Sequence, residues 1–335
     1  MEASTHVGAH AVARMSKTVA SNTWVRFAVR RLIGVVVVLA VLVIAIFSSV
    51  RLIPGDPVRT VVGLTASPQV YNRVRNDMGL NHPFLVQLGD YVSGLLHGNL
   101  GHSFVTQEPV SQIIAQNIGP SLELAGLALA LVLLFGIPIG IVAAGVTRDN
   151  THRRFDVFYQ GATQLLGTIP DFLLATVLAF LFAVKIQIFP VAGNSGWQSL
   201  VLPVLSLAVP TTAILSRLVR AETRNVLAQD YMRTARAKRL PRRVIFFRHA
   251  LPNVLTAALT VSGLLFAGLI GGAVIIENVF ARPGLGTQVT LALGSLDYPT
   301  IQGITIVLGA VVVVVNALVD VMLGLIDKRS IARES

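Results

Sequence analysis

Few side chains in this sequence have the type and spacing that enzyme chemistry requires. Cysteine is absent, which excludes thiolate metal ligands, disulfides and cysteine nucleophiles. A phosphate-cradling loop needs glycine directly before its lysine, whereas serine, valine, alanine and aspartate precede the four lysines, which are Lys17, Lys185, Lys238 and Lys328. The histidines at positions 82, 97 and 102 are isolated, and no His-Glu-x-x-His pattern is present. The sequence therefore predicts no catalytic residue, no metal site and no ATP site of its own.

Four polar residues inside apolar runs are the remaining candidates for a chemical role: Thr168, Asp171, Thr211 and Ser262. An ionisable group in lipid is expensive and indicates a function by default. Asp171 follows Pro170, and it could line a path through the membrane, where its carboxylate would meet an amino group. It could equally cap a helix that begins after Pro170. The hydroxyl groups could line the same path or hydrogen-bond between helices, and the sequence leaves both possibilities open.

The elements that hold these residues belong to a membrane protein. Of 335 residues, 53% are hydrophobic and only 13% are charged, and the mean hydropathy is +0.71. A soluble domain carries about 25% charged residues, so this chain has too little polar surface for water and suits lipid instead. The net charge of +11 does not indicate nucleic acid, because the positive residues flank apolar runs rather than covering one compact domain.

Six runs with few or no charges predict six transmembrane helices. They cover about residues 32–50, 124–147, 157–184, 199–216, 250–276 and 298–319, and each has at least the roughly 17 residues that cross a hydrocarbon core. With the N-terminus in the cytoplasm, 21 of the 27 lysines and arginines fall on the cytoplasmic side, as the positive-inside rule requires. The prediction is an all-α membrane protein with both termini in the cytoplasm. Asp320, near the end of the sixth run, is predicted to lie at the interface.

This topology divides the chain into a disordered cytoplasmic extension (1–24), a first transmembrane helix (25–50), an external cap (51–116), a transmembrane domain (117–327) and a C-terminal tail (328–335). The first apolar run is longer than that of a secretory signal and no small-residue cleavage site follows it, so we interpret it as a retained span. Apolar residues at helical spacing predict a helix from Pro83 to Leu96 in the cap. The cap could dock an external partner or serve as a connector.

The largest cytoplasmic loop, residues 220–253, is strongly basic. Its pattern predicts a helix from Asn225 to Lys238, a break at residues 239–241, and a second helix from Arg242 to Ala250 that Pro252 ends. Two short helices in one loop could insert into a groove on a partner. A basic loop could instead rest on anionic headgroups, where each cation contributes about 1 kcal/mol.

The motifs of this loop resemble those of ATP-binding-cassette importer permeases. The segment DYMRTARAKRL (230–240) is similar to the version of the dipeptide, oligopeptide and nickel branch, in which Arg-Thr-Ala-Arg-Ala-Lys-Gly-Leu is usual. Further similar motifs follow in the family's order, over about residues 24–330: PGDP (54–57), GNLG (98–101), SLEL (121–124), IPDF (169–172), FPVAG (189–193), GGAV (271–274) and ENVFARPGLG (277–286). Within that branch the chain resembles the first permease of a heterodimer.

The resemblance implies the type I importer permease fold and a role as half of a translocation pathway for dipeptides or oligopeptides in a bacterial cytoplasmic membrane. It implies a second homologous permease, two ATPase subunits or domains that bind ATP and magnesium, and an external peptide-binding protein or lipoprotein. Membrane lipid is the remaining partner, and neither nucleic acid nor a cofactor on this chain is expected. The implied ATPase-coupling residues are Tyr231, Arg233, Thr234, Ala235, Arg236, Ala237, Lys238, Arg239, His249, Leu251 and Pro252.

Arg239 departs from the family pattern, which has glycine at this position between the two short helices. Glycine accepts a positive φ without strain, whereas another residue there costs on the order of 1 kcal/mol. Either Arg239 adopts that conformation, or Pro241 has moved the turn by one or two residues.

Other functions remain open at this stage. A permease of this branch could carry nickel complexes or glutathione, because its relatives differ in cargo. An ion-coupled secondary carrier would need buried acidic or basic relays, for which only Asp171 qualifies well. Such a carrier would also leave the basic two-helix loop without a role.

Overall fold

The computed structural model describes residues 29–50, 52–63, 65–147, 152–194, 196–239 and 241–326. Its helices are α1 (Val29–Val50), α2 (Pro57–Val62), α3 (Pro68–Asp77), α4 (Phe84–Leu96), α5 (Val110–Val146), α6 (Arg153–Thr168), α7 (Asp171–Lys185), α8 (Gln198–Ala228), α9 (Asp230–Ala237), α10 (Ile245–Val279), α11 (Leu285–Gly294) and α12 (Tyr298–Ile326). The end of α7 and the first turn of α10 are π-helical. The predicted extension (1–24) and tail (328–335) lie outside the described residues.

Five of these helices are long and apolar enough to cross a membrane, namely α1, α5, α8, α10 and α12, and the described residues hold six such elements if the bent pair α6 and α7 is one span. The predicted all-α membrane architecture is therefore confirmed. Helix α5 has 37 residues, which at 1.5 Å per residue gives about 55 Å. It is thus longer than a hydrocarbon core of about 30 Å, and its first turns extend the span beyond the apolar run that predicted it.

The third predicted span, 157–184, is wrong as a single straight helix. Helices α6 and α7 meet at 93°. Ile169 leaves the helical region with ψ of 123°, and Pro170 occupies the N-cap position of α7. A proline disfavours helical geometry in the residue before it, so the chain turns at this step although its apolar character continues without a gap.

The packing of α5 against α8 forms the centre of the fold. A Cβ added at Gly140 would lie 2.5 Å from the carbonyl oxygen of Ser216 and 2.7 Å from Cβ of Val219, so a side chain at position 140 would force the two helices apart. Small residues allow such approaches in membrane helices. Side chains of α5, α8, α9 and α10 complete the main core, among them Leu124, Val132, Leu207, Leu215, Val226, Met232, Ala235, Val254 and Ile276.

Helix α1 lies at the edge of the fold and packs on α12. Leu42 fills the space above Gly309, where an added Cβ would lie 2.4 Å from Cδ2 of Leu42. Arg31 forms an ion pair with Asp320, whose side chain is partly exposed. Much of the remaining apolar surface of α1 is exposed on the isolated chain, which suits a helix that faces lipid or a neighbouring subunit.

The segment between α1 and α5 folds into three short helices and a loop that is fastened to α12. Asp56 accepts hydrogen bonds from the backbone N–H of Val58 at 3.0 Å and from the hydroxyl of Tyr71 at 2.9 Å, and so joins α2 to α3. The hydroxyl of Ser103 donates to Asp297 at 2.6 Å. An open cavity of about 1080 Å³ lies between these elements and the start of α12. The external position of this cap stays a prediction.

Candidate functional site

The basic cytoplasmic segment differs from its predicted form at both ends. Residues 220–228 continue α8 as a helix, and a single extended residue, Gln229 with ψ of 152°, separates α8 from α9. Residues 225–228 are helical as predicted but belong to α8, so the predicted helix from Asn225 to Lys238 is interrupted at Gln229. Residues 242–250 are helical as predicted, but they do not form a separate short helix, because the helical turn Arg242–Val244 leads into α10 without a stop. Proline is accommodated in the first turn of an α-helix, and Pro252 is the second residue of Leu251–Val279, the α-helical part of α10 that follows the π-helical turn.

Helix α9 has a buried face and an exposed face. Met232 is fully buried and Ala235 is 7% exposed, and both belong to the main core cluster that also contains Val226, Ile245 and Ala250. The opposite face exposes several of the predicted coupling residues: Tyr231, Arg233, Thr234, Ala237 and Lys238. The side chain of Arg236 lies outside the described residues. Ala235 thus holds the helix on the chain, whereas the exposed face is available to a partner.

One hydrogen bond joins α9 directly to α10. Nδ2 of Asn253 donates to the hydroxyl oxygen of Tyr231 at 3.3 Å and to the carbonyl oxygen of His249 at 2.8 Å. Burial, and secondarily the carboxylate of Glu222, raise the pKa of Tyr231, so the phenol stays protonated at neutral pH. His249 and Leu251 are half-buried beside this contact and Pro252 is exposed. They belong to the root of α10 rather than to a separate helix.

Arg239 lies in the left-handed region with φ of 51°. The turn therefore stays at the position where the family pattern has glycine, and Pro241 has not moved it. A non-glycine residue in this conformation carries strain of about 1 kcal/mol. The guanidinium is exposed, so the side chain extends from the turn beside the exposed face of α9.

The predicted pathway residues lie in different surroundings. Thr211 and Ser262 are buried and donate hydrogen bonds to carbonyl oxygens of their own helices, at 2.9 Å to Leu207 and 2.6 Å to Leu259. Thr168 is exposed and does the same to Gln164 at 2.7 Å. The two buried hydroxyl groups are therefore already satisfied within their helices.

Asp171 begins α7 at the 93° bend and points toward α10. A Cβ added at Gly272 would lie 2.9 Å from its Oδ2 and 2.8 Å from a methyl carbon of Leu207 on α8. Pro170 holds the N-cap position, and no side-chain cap hydrogen bond is formed there. Asp171 is therefore the first residue of α7, an acidic group in its first turn, and not the N-cap residue itself. The carboxylate lies at the junction of α7, α8 and α10.

A charge cluster at the other end of α6, made of a buried arginine and a partly exposed aspartate, was not predicted. Arg220 on α8, 7% exposed, pairs with Asp156 of α6 and donates to the hydroxyl of Thr147 after α5 at 3.2 Å. Its guanidinium carbon lies 5.1 Å from the ring centroid of Tyr159. The sequence suggested a solvated basic loop here, but the helical spacing of Ser216, Arg220 and Thr223 with buried Val219 and Val226 was a signal that α8 continues.

A second unpredicted cluster connects the interior of α5 with the end of α10 and the start of α11. The carboxylate of Glu277, 1% exposed, accepts hydrogen bonds from the hydroxyl of Ser121 at 2.6 Å and from the backbone N–H of Gly286 at 2.8 Å. An added Cβ at Gly284 would lie 2.2 Å from this carboxylate. The SLEL and ENVFARPGLG motifs are thus one contact site, in which the glycines allow the backbone to reach Glu277.

Arg282 is fully buried, although the charge pattern placed it in an external loop. Its Nη1 lies 3.4 Å from the carbonyl oxygen of Ser199, and its Nη2 lies 3.7 Å from a carboxylate oxygen of Glu123. Burial lowers the pKa of Arg282, and the charges of Glu123 and Glu277 oppose this effect. Arg282 therefore fastens the segment after α10 to α5 and α8. The described residues contain no group of three side chains that could hold a metal ion.

Family models match two regions of this chain. Residues 136–331 match the binding-protein-dependent transport system inner membrane component. Residues 24–125 match the N-terminal membrane component of the same kind of system. Together these regions contain α9, the Arg220 cluster and the Glu277 cluster.

Relatives from two bacteria match nearly the whole chain. A candidate peptide transport system permease protein of Brucella suis biovar 1 is 39% identical over 308 residues, which cover 90% of this chain and 97% of the relative. The glutathione transport system permease protein GsiC of Salmonella typhimurium is 35% identical over 303 residues, which cover 90% and 97%. Both relatives are therefore similar to this chain over their own full length.

A solved structure shares the fold. The MetNI methionine ABC transporter in an inward facing conformation superposes with a TM-score of 0.55 at 14% sequence identity, over 65% of this chain and 97% of that chain. This likeness confirms the predicted importer permease fold.

Proposed function

The chain belongs to the family of binding-protein-dependent transport system inner membrane components, and we propose that its transporter carries peptides. The chain is a permease subunit of an ABC importer in the inner membrane, and the ATPase sites belong to separate subunits. We propose that it pairs with a second, homologous permease, with two cytoplasmic ATPase subunits or domains, and with an external peptide-binding protein that docks on the cap. Relatives at 39% identity that are named for peptides support this cargo.

The observation that carries the coupling role is the two-sided packing of α9. Met232 and Ala235 fix the helix to the core, while the exposed side presents Arg233 and Lys238 beyond the end of α8. A short helix whose buried face is packed on the core and whose exposed face is charged suits insertion into a groove of an ATPase. A loop resting on headgroups would not need an anchored apolar side.

Force applied to α9 has two direct routes into the membrane. One route is α8, because only Gln229 separates the two helices, and the other is α10, through Tyr231 and Asn253. Closure of the ATPases around ATP would move α9 and tilt both spans, so that the pathway changes from inward-open to outward-open. Such coupling needs a difference in ATPase contact between the two states.

Asp171 is the residue that we propose to meet the peptide amino group in the pathway. It stands at the junction of α7, α8 and α10, and its carboxylate lies against Gly272 rather than in a helix cap. An anionic group at membrane depth favours a cationic ligand. Glutathione, which is also a peptide with a free amino group, is the second cargo that we consider, because the glutathione permease GsiC is 35% identical to this chain.

Uptake by membrane vesicles that contain the complete transporter and its binding protein tests this function. We expect radiolabelled dipeptide to accumulate only when ATP is present inside the vesicles, and unlabelled dipeptide or tripeptide to compete. Competition by glutathione at equal strength would favour the second cargo. Uptake driven by a proton gradient without ATP would contradict the proposal.

A further inference from the structure

Arg220 contacts side chains from two other parts of the fold within the membrane domain. Its Nη2 pairs with Oδ1 of Asp156 on α6 and donates to Oγ1 of Thr147 at the end of α5 at 3.2 Å. Its guanidinium lies 5.1 Å from the centroid of the Tyr159 ring. The hydroxyl of Tyr159 in turn donates to Ser216 on α8 at 3.1 Å. One arginine thus holds α5, α6 and α8 at a single point.

This arrangement is costly if its only task is to hold the fold together. Removing a guanidinium from water costs several kcal/mol, and apolar side chains of similar volume often pack as stably as a buried ion pair. Nε of Arg220 has no hydrogen-bond partner among the described residues. The pair favours one relative position of two helices, because a slip of either helix leaves the buried guanidinium of Arg220 without its partly exposed partner Asp156.

The Arg220 cluster lies between α9, the helix with the proposed coupling role, and the bent pair α6 and α7. Arg220 is on the cytoplasmic part of α8, two turns before Ala228, where α8 ends and α9 follows. Asp156 is in the first turn of α6, and the other end of α6 leads to the bend and to Asp171. A second contact, from Arg217 to Gln164, joins the same two helices nearer to that bend. The contact between α6 and α8 is therefore polar at two successive levels.

We propose that Arg220 is a positioning residue that makes α6 follow α8 when the ATPases move α9. In this role the Arg220–Asp156 pair passes the movement of α8 to α6, and α6 passes it to the bend at Asp171. Helix α9 itself does not contact that bend. The inference rests on the proposed function, because it needs an ATP-driven movement of α9. It predicts that loss of the pair separates ATP hydrolysis from transport.

The test is the ratio of peptide transported to ATP hydrolysed, measured in proteoliposomes with the complete transporter. We expect Arg220→Gln and Asp156→Asn to lower this ratio at least tenfold, while ATP hydrolysis stays within threefold of the unaltered transporter. The exchange of both charges, Arg220→Asp with Asp156→Arg, should recover at least one third of the ratio. A purely structural role would lower both rates together with the amount of assembled complex.

A matched control uses another ion pair between helices, Arg31 with Asp320, which joins α1 to α12 and not to the segment 220–253. We expect Arg31→Gln and Asp320→Asn to leave the ratio within twofold. If Arg220→Gln does not assemble, Arg220→Lys keeps the cation but loses the planar fork, and a threefold lower ratio is expected. An unchanged ratio in the assembled Arg220 and Asp156 variants would overturn the inference. No ATP-dependent uptake by the unaltered transporter would instead overturn the proposed function.

Discussion

The hydroxyl oxygen of Tyr231 on α9 accepts a hydrogen bond from Nδ2 of Asn253 on α10 at 3.3 Å. These residues are 22 positions apart, and the contact closes the turn that contains Arg239. The exposed coupling helix is thereby connected to the root of a membrane span by a side-chain bond as well as by the chain itself.

Removing this bond should loosen α9 without unfolding the protein. A single hydrogen bond contributes about 0.5–1.5 kcal/mol net, so Tyr231→Phe should increase hydrogen exchange of the α9 amides about 2- to 10-fold. Tyr71→Phe is the matched control, because it removes a hydroxyl bond of 2.9 Å to Asp56 in the cap and should leave α9 unchanged. Equal protection of α9 in Tyr231→Phe and the unaltered chain would contradict the connecting role.

Ala235 and Ala237 should respond differently to the same substitution. Ala235 is 7% exposed within the core, whereas Ala237 is exposed, and an unpaired buried carboxylate costs several kcal/mol. Ala235→Asp should therefore detach α9 and abolish ATP-dependent uptake while the spans still insert. Ala237→Asp should keep the protection of α9 against hydrogen exchange. Normal uptake by Ala235→Asp would show that the seating of α9 on the core is not needed.

The strain at Arg239 predicts a gain in local stability on replacement by glycine. At φ of 51° glycine avoids about 1 kcal/mol of steric cost, so Arg239→Gly should raise the protection of the α9 amides about fivefold. Arg239→Val, which adds a β-branched side chain, should lower it. Hydrogen exchange of the same peptide fragment measures both variants, and an opposite order would mean that the turn adopts another conformation.

Two glycines on α5 provide a direct test of the α5–α8 packing. An added Cβ at Gly140 meets the Ser216 carbonyl oxygen at 2.5 Å, while one at Gly145 meets nothing within 4 Å. Overpacking costs about 1–3 kcal/mol, so Gly140→Ala should lower the thermal unfolding temperature in detergent. Gly145→Ala should leave that temperature unchanged or raise it slightly. Similar values for the two variants would contradict the close approach of the helices.

The sequence predicted the spans well because lipid requires long apolar runs, and such runs are visible without a structure. It failed at Ile169–Pro170, where hydropathy is continuous and only the geometry of the residue before proline turns the chain by 93°. It also missed the burial of Arg220 and Arg282: Arg220 was assigned to a loop but lies in α8, and Arg282 lies in a connection, as predicted, but is buried. Such burial depends on tertiary packing, which periodicity alone does not contain.

The coupling segment was recognised by its motif, yet the two faces of α9 could not be assigned from it. Met232 and Ala235 are three residues apart, as an apolar stripe would be, but the motif resemblance included Ala235 among the residues that contact the ATPase. Ile245 and Ala250, which belong to the same buried cluster, come from the far side of the turn. Only the folded arrangement separates the anchoring residues from the exposed ones.

Cysteine crosslinking between α9 and the ATPase tests the central claim most directly, because the chain has no cysteine of its own. In the assembled transporter, Thr234→Cys on the exposed face should form a crosslink to an ATPase subunit, and ATP should change its yield. Met232→Cys on the buried face should form none. A transporter that takes up peptide with ATP while Thr234→Cys and Lys238→Cys never crosslink to an ATPase would contradict the docking of α9.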